Sequence, residues 1–292
     1  MINLSIRHPD HPPRGIIPRV ETSQKHQAFV ETVQPPFILI KLNDAATLVN
    51  RGETAASYFP EAQTVITTTT IRDVDLAELT YRDEFDILTR FNPDIHIPAD
   101  ESIYQRHTPS ERLNRITRSL EGYLHVTNLL EEHASEFNTA PPSIIPLLQG
   151  LTPDEYEHCF NVFEELDVPM AAYYAVQYFS GNNPRTGDLL NALETIDAHA
   201  PDELSLLIIG GIGPELTAQY PDRVDAAAGF AQWFGRVNPL YDTAGSIQLD
   251  VSKAKAGYND LATTTNQNLD VDIRPSTNPN YQEAEPAFST SN

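Results

Sequence analysis

Four places in the chain combine residues whose types and spacing could do chemistry. In Ile97-Pro98-Ala99-Asp100-Glu101 two carboxylates follow an apolar, β-rich run directly, a pair suited to accepting hydrogen bonds or moving a proton. Pro146-Leu147-Leu148-Gln149-Gly150 ends another such run in a carboxamide, which can donate and accept at once. Ile209-Gly210-Gly211-Ile212-Gly213-Pro214 is a glycine-rich turn into a helix, compatible with a backbone anion site. Asp222-Arg223-Val224-Asp225-Ala226-Ala227 sets Asp225 among small and apolar residues that could bury and activate it. Each place also has a plainer reading: solvated loop acids, a Gln bonding loop backbone, a tight turn without a ligand, one acid among many.

The elements that must position these groups are legible from pattern. The runs Phe37-Ile38-Leu39-Ile40, Thr64-Val65-Ile66-Thr67, Asp94-Ile95-His96-Ile97, Ile144-Ile145-Pro146-Leu147-Leu148, Met170 to Val176 and Leu204 to Ile209 have the length of buried strands. Thr108-Pro109-Ser110-Glu111 and Thr152-Pro153-Asp154-Glu155 each predict an N-cap, a proline in the first turn and a capping-box glutamate. Apolar residues then follow at helical spacing, first Leu113, Ile116, Leu120 and Leu124, later Tyr156, Phe160, Phe163 and Leu166. Strands alternating with helices over roughly 230 residues predict an α/β fold with a parallel sheet, and this length suits a (β/α)8 TIM-like barrel better than an open doubly wound sheet. Residues 1–35 read as an irregular N-terminal arm, 36–262 as the barrel domain and 263–292 as a flexible polar tail.

Composition narrows the class further. The 292 residues contain no stretch of the roughly 18 apolar residues that a membrane span requires. The N-terminus shows no secretory signal pattern, so the expected location is cytoplasmic. Cys159 is the single cysteine, which excludes an internal disulfide and a thiolate zinc cluster, and no cofactor motif stands out. Against 41 Asp and Glu stand 19 Lys and Arg, a formal net charge of −22, with lysine only at 25, 41, 253 and 255. Such a balance suits a halophilic source, where salt screens self-repulsion.

Taken in order, the four places resemble the catalytic barrel of the tRNA-guanine transglycosylase family across roughly residues 37 to 262. The resemblance implies that Asp100 reads the guanine edge, that Gln149 and the Gly150 amide hold the same base at O6, and that Gly211 and Gly213 belong to the Gly-x-Gly-x-Pro turn. It maps the nucleophilic Asp, which forms a covalent glycosyl-enzyme, onto Asp225. Tyr174 to Gly181 falls on the substrate loop, and Gly245 to Asp260 on the hairpin after the nucleophile, expected to dock through Ile247, Leu249 and Tyr258. Where the family carries an Asp for proton transfer this chain has Thr68, which should line the same pocket and leave either a water or another acid, Asp73 and Asp75 being nearest, as substitute acceptor. The zinc ligands and the RNA-binding domain have no counterpart, so no metal is expected. The chain is thus most similar to paralogues that insert a 7-deazaguanine into DNA, with DNA or tRNA as partner and a homo- or hetero-dimer compatible with either. Thr68 also motivates a second reading, a non-catalytic subunit or nucleic-acid-binding module on the same barrel. In a third, the chain is an unrelated α/β enzyme.

Overall fold

In the computed structural model, which describes residues 6–179, 184–230, 233–234 and 251–271, nine strands form one all-parallel, strongly curled sheet. They are β1 (Gly15–Val20), β2 (Phe37–Lys41), β3 (Thr64–Thr68), β4 (Ile95–Ile97), β5 (Ser143–Ile144), β6 (Leu147–Leu148), β7 (Met170–Tyr174), β8 (Ser205–Ile209) and β9 (Val224–Gly229). Their order across the sheet is β5-β4-β3-β2-β1-β9-β8-β7-β6. The connections are helical: α1 (Gln24–Val33), α2 (Leu42–Asn50), α3 (Ala55–Tyr58), α4 (Asp73–Leu76), α5 (Tyr81–Phe91), α6 (Pro109–Glu132), α7 (Pro153–Glu165), α8 (Thr186–His199) and α9 (Pro214–Thr217). The last described helix is α10 (Val251–Asn268).

Both faces of the sheet are buried, which is why the strands read as continuous apolar runs. Side chains alternate: Ile16, Ile38, Val65, Leu206 and Ala227 pack under the helices, while Ile17, Leu39, Ile66, Leu207 and Ala228 form a separate cluster on the other face. That second cluster joins Ile95 and Ile97 of β4 to Ile145, Leu147 and Met170 from the other end of the sheet, as curling requires.

Among the described residues of the expected irregular arm 1–35, residues 15–20 and 24–33 carry regular structure. They supply β1, at the centre of the sheet between β2 and β9, and α1 behind it. Pro18 disguises the strand because proline cannot donate to a ladder, yet it pairs in register with Gly229. The polar tail also begins later than expected. α10 runs through residue 268, and Asn266 locks it to β1 by accepting the Ile16 N–H at 3.0 Å. Residues 272–292 and the residues Ile247 and Leu249 of the expected hairpin lie outside the described residues, whereas Tyr258 is buried within α10.

The capping box at α6 forms as expected, with Glu111 accepting the Thr108 N–H at 2.7 Å and Thr108 accepting the Glu111 N–H. At α7 it does not. Glu155 accepts instead from the Leu151 N–H and from Arg112 Nε, each at 2.8 Å, because a buried carboxylate gains more from a guanidinium partner than from a second cap bond.

A candidate ligand site at the C-terminal edge of the sheet

All strands point the same way, so their C-terminal ends form one rim, where the following loops carry polar groups. Asp100 stands three residues beyond β4 in a tightly held loop. Ala99 adopts φ +57°, and its carbonyl accepts from Ser119 Oγ of α6 at 2.6 Å. The Asp100 N–H donates to Thr69 Oγ1 at 3.1 Å, and Arg115 and Arg118 of α6 clamp Glu101 at 3.2 and 3.0 Å.

Gln149, directly after β6, reaches across to this loop. Its Nε2 donates to Asp100 Oδ1 and to the Glu101 carbonyl, both at 2.8 Å. A carbonyl can only accept, so the amide orientation is fixed and the Gln149 Oε1 is left buried with no partner. Beside it, Gly150 sits at φ +150°, where a Cβ would stand 3.0 Å from side-chain carbons of Glu155 and Tyr156. The Gly150 N–H has no hydrogen-bond partner among the described residues.

Burial, reinforced by the nearby charge of Asp73, pushes the Asp100 carboxyl up to about 7. Asp73 moves the other way, because its carboxylate accepts from the Tyr104 hydroxyl at 2.5 Å and from Ser102 Oγ at 2.8 Å. Tyr174, at the end of β7, is pushed up to about 12 by burial and then by Asp100.

Asp100, Gln149, Gly150 and Tyr174 line a cavity of about 280 Å³. It adjoins a larger cavity of about 500 Å³ lined by Arg19, Thr70, Gly211, Gly213 and Phe230, with Lys41 and Tyr174 in both walls. Three expected site residues are thus brought together, namely Asp100, Gln149 and Gly150, and Gly211 and Gly213 border the adjoining space. Gly211 has its own packing reason: at φ +69°, a Cβ would lie 2.7 Å from the Tyr220 hydroxyl.

Two expectations fail geometrically. Thr68 is wholly buried and lines neither cavity; its hydroxyl bonds that of Thr70 at 3.0 Å, and Thr70 faces the mouth instead. Asp225 is the second residue of β9, four residues before the rim, or about 13 Å at strand spacing. Ala226 and Ala228, which follow it toward the rim, belong to the packed cluster that also holds Ile97 of β4. On β9 the rim carries Gly229 and Phe230 rather than an acid. Of the substitute acceptors, Asp75 is taken by Arg72 at 2.8 Å, whereas Asp73 lies at the smaller cavity. The carboxamide is also spent differently from expectation: with both Nε2 hydrogens bound within the protein, Gln149 offers a ligand only an acceptor.

Sequence reasoning missed Arg19, Lys41 and Thr70, whereas Tyr174, expected in the substrate loop, does line both cavities. Arg19 lies in the strand that Pro18 disguises. Lys41 was readable as one of only four lysines, placed directly at the end of an apolar run. Comparison with known proteins finds no matching family model and no match among curated proteins. Among the described residues no helix is long and apolar enough to cross a membrane, and no group of three or more His, Cys, Asp and Glu could hold a metal ion.

Proposed function

We propose that this chain is a (β/α)8 barrel whose C-terminal mouth binds a guanine-type base, without glycosyl transfer through Asp225. Closure of the barrel is supported by the two ends of the sheet, for β5 and β6 are separated only by Ile145 and Pro146. β5 pairs with β4 and β6 with β7, so the run 143–148 counts as one strand of eight and joins both edges.

The single observation that carries the base reading is the orphaned Gln149 Oε1, on a residue that lines one cavity with Asp100 and Gly150. A buried unsatisfied acceptor costs about 1–3 kcal/mol, which a donor on the ligand would recover. The site presents two acceptors and one donor. Guanine complements them with N2–H, N1–H and the O6 acceptor, and a 7-deazaguanine keeps that edge unchanged. Adenine carries no such donor pair on that edge. A base within DNA or tRNA would offer it only when flipped out of its stack.

The position of Asp225 favours this binding reading over the transglycosylase expectation, because covalent catalysis needs the nucleophile within about 3 Å of the reacting carbon. Calorimetry with guanosine, adenosine and inosine tests the proposal. Guanosine should bind tightest, with inosine weaker for want of N2–H, and Asp100→Asn should reduce the preference. Equal binding of adenosine would overturn it. Incorporation of labelled guanine into DNA or tRNA by the purified chain would restore an exchange enzyme.

A further inference from the structure

The larger cavity is the basic half of the rim, and the base reading leaves it unused. Arg19 of β1 and Lys41 at the end of β2 both stand on the parity of Ile17 and Leu39, so their side chains emerge into the mouth. Two adjacent inward cations are unexpected in a chain of net charge −22 that has only four lysines. Like charges placed side by side destabilise a fold unless something anionic sits between them. The acids nearby do not fully serve. Arg19 pairs with Glu21 at 3.2 Å through Nη2, yet its Nε is buried with no partner. Lys41 makes no ion pair among the described residues, although Glu21 and Asp44 attract it and Arg19 and Arg72 repel it. Glu215 stands on the far wall of the same cavity. Phe230 lies beneath the Arg19 guanidinium, 5.0 Å from ring centre to Cζ, and holds that group over the opening.

We infer that Arg19 and Lys41 form a phosphate subsite, and that the ligand of this mouth is a guanine mononucleotide lying across both cavities. The inference rests on the base reading for the nature of the ligand's other end. The cavities meet at Lys41 and Tyr174, so a base against Gln149 directs its sugar toward Tyr174 and its phosphate toward the two cations. The guanidinium of Arg19 supplies a directional donor in its unused Nε–H, and the Lys41 ammonium a point charge. A mononucleotide fits better than a strand, because two half-buried cations side by side match one phosphate rather than the spaced phosphates of a polyanion.

Calorimetry on the full chain at constant ionic strength separates the claims, with guanosine, GMP, AMP and a short guanine-containing single strand as probes. GMP should bind at least about tenfold more tightly than guanosine. In Lys41→Met and in Arg19→Gln that ratio should fall below about threefold, whereas Lys41→Arg should keep most of it. Near-ultraviolet spectra and melting temperature check that each variant is folded. Equal affinity for guanosine and GMP overturns the phosphate subsite and leaves the base reading standing. Equal affinity for AMP and GMP, both lost in Lys41→Met, overturns the base reading and keeps the subsite. Tighter binding of the strand than of GMP overturns the mononucleotide, and binding of none overturns both.

Discussion

At the Asp100 end of the rim each polar group is held by another group behind it. Gln149 bonds Asp100, Glu155 bonds Arg112 and the Leu151 N–H, and Arg115 and Arg118 bond Glu101. At the Arg19 end, among the described residues Lys41 has no ion pair and the Arg19 guanidinium meets Glu21 and Phe230. The contrast suits the proposed division of the rim into a base end and a phosphate end. Hydrogen bonds to a base edge weaken steeply when misaligned, so their partners must be fixed in advance. Charge attraction varies slowly with distance and tolerates mobile side chains.

Removing the support should therefore cost far more at one end than at the other. Glu155→Leu leaves Arg112 buried and unpaired and should lose about 3–5 kcal/mol in chemical denaturation. Lys41→Met should stay within about 1 kcal/mol of the parent, with relief of repulsion from Arg19 offsetting lost contacts. Equal losses in the two variants would erase the comparison.

Gly150→Ala should cost about 1–3 kcal/mol, since φ +150° and Cβ contacts at 3.0 Å both oppose a side chain. Guanosine binding should weaken in the same variant as the Gly150 N–H moves. A Gly150→Ala protein with unaltered stability and binding would show that the acidic end is looser than its hydrogen bonds imply.

The pH response sharpens the comparison further. Burial pushes the Asp100 carboxyl up to about 7 in the folded chain from its ordinary 3.8, so the folded state holds its proton longer. Stability must then fall as pH rises from about 4 to about 7, and Asp100→Asn should remove that part of the fall. Asp73, whose carboxyl is depressed, contributes in the opposite sense: its stabilisation is present above its unfolded value and is lost as pH falls through the lower folded one. Guanosine affinity should rise through pH 7 as the Asp100 carboxylate forms, because ionised acceptors bond more strongly. A flat affinity between pH 6 and 8 would remove Asp100 from the site.

The smallest effect is expected at Asp225. Half-buried at the opposite end of β9, it should tolerate Asn with a change of about 0.5 kcal/mol or less and no change in guanosine affinity. Loss of binding in that variant would return it to the site.

Much of the framework was legible because it is written in local pattern. Phe37 to Ile40, Thr64 to Thr67 and Leu204 to Ile209 are strands within a residue or so of expectation, and Thr108 and Glu111 start α6 as their spacing implies. Asp100 and Gln149 were readable as polar groups placed directly after apolar runs, and the structure brings them to 2.8 Å. Three readings failed where a local signal had more than one outcome. Pro18 suggested irregular chain, Glu155 suggested a cap, and Val224-Asp225-Ala226 gave no sign of which end of a strand the acid occupies.

The sequence by itself determined the alternation of buried strands with helices, the surplus of acid and the polar residues that follow the strands, since each depends on neighbours a few positions away. Only the tertiary structure decided which polar residues meet. Gln149 found Asp100 because a curled parallel sheet brings strand ends 49 residues apart to one rim. Arg19 and Lys41 share a cavity with Gly211 for the same reason. Depth along a strand decided the rest: residues at the C-terminal end open into the mouth, whereas Asp225 stands near the start of β9, four residues before the rim.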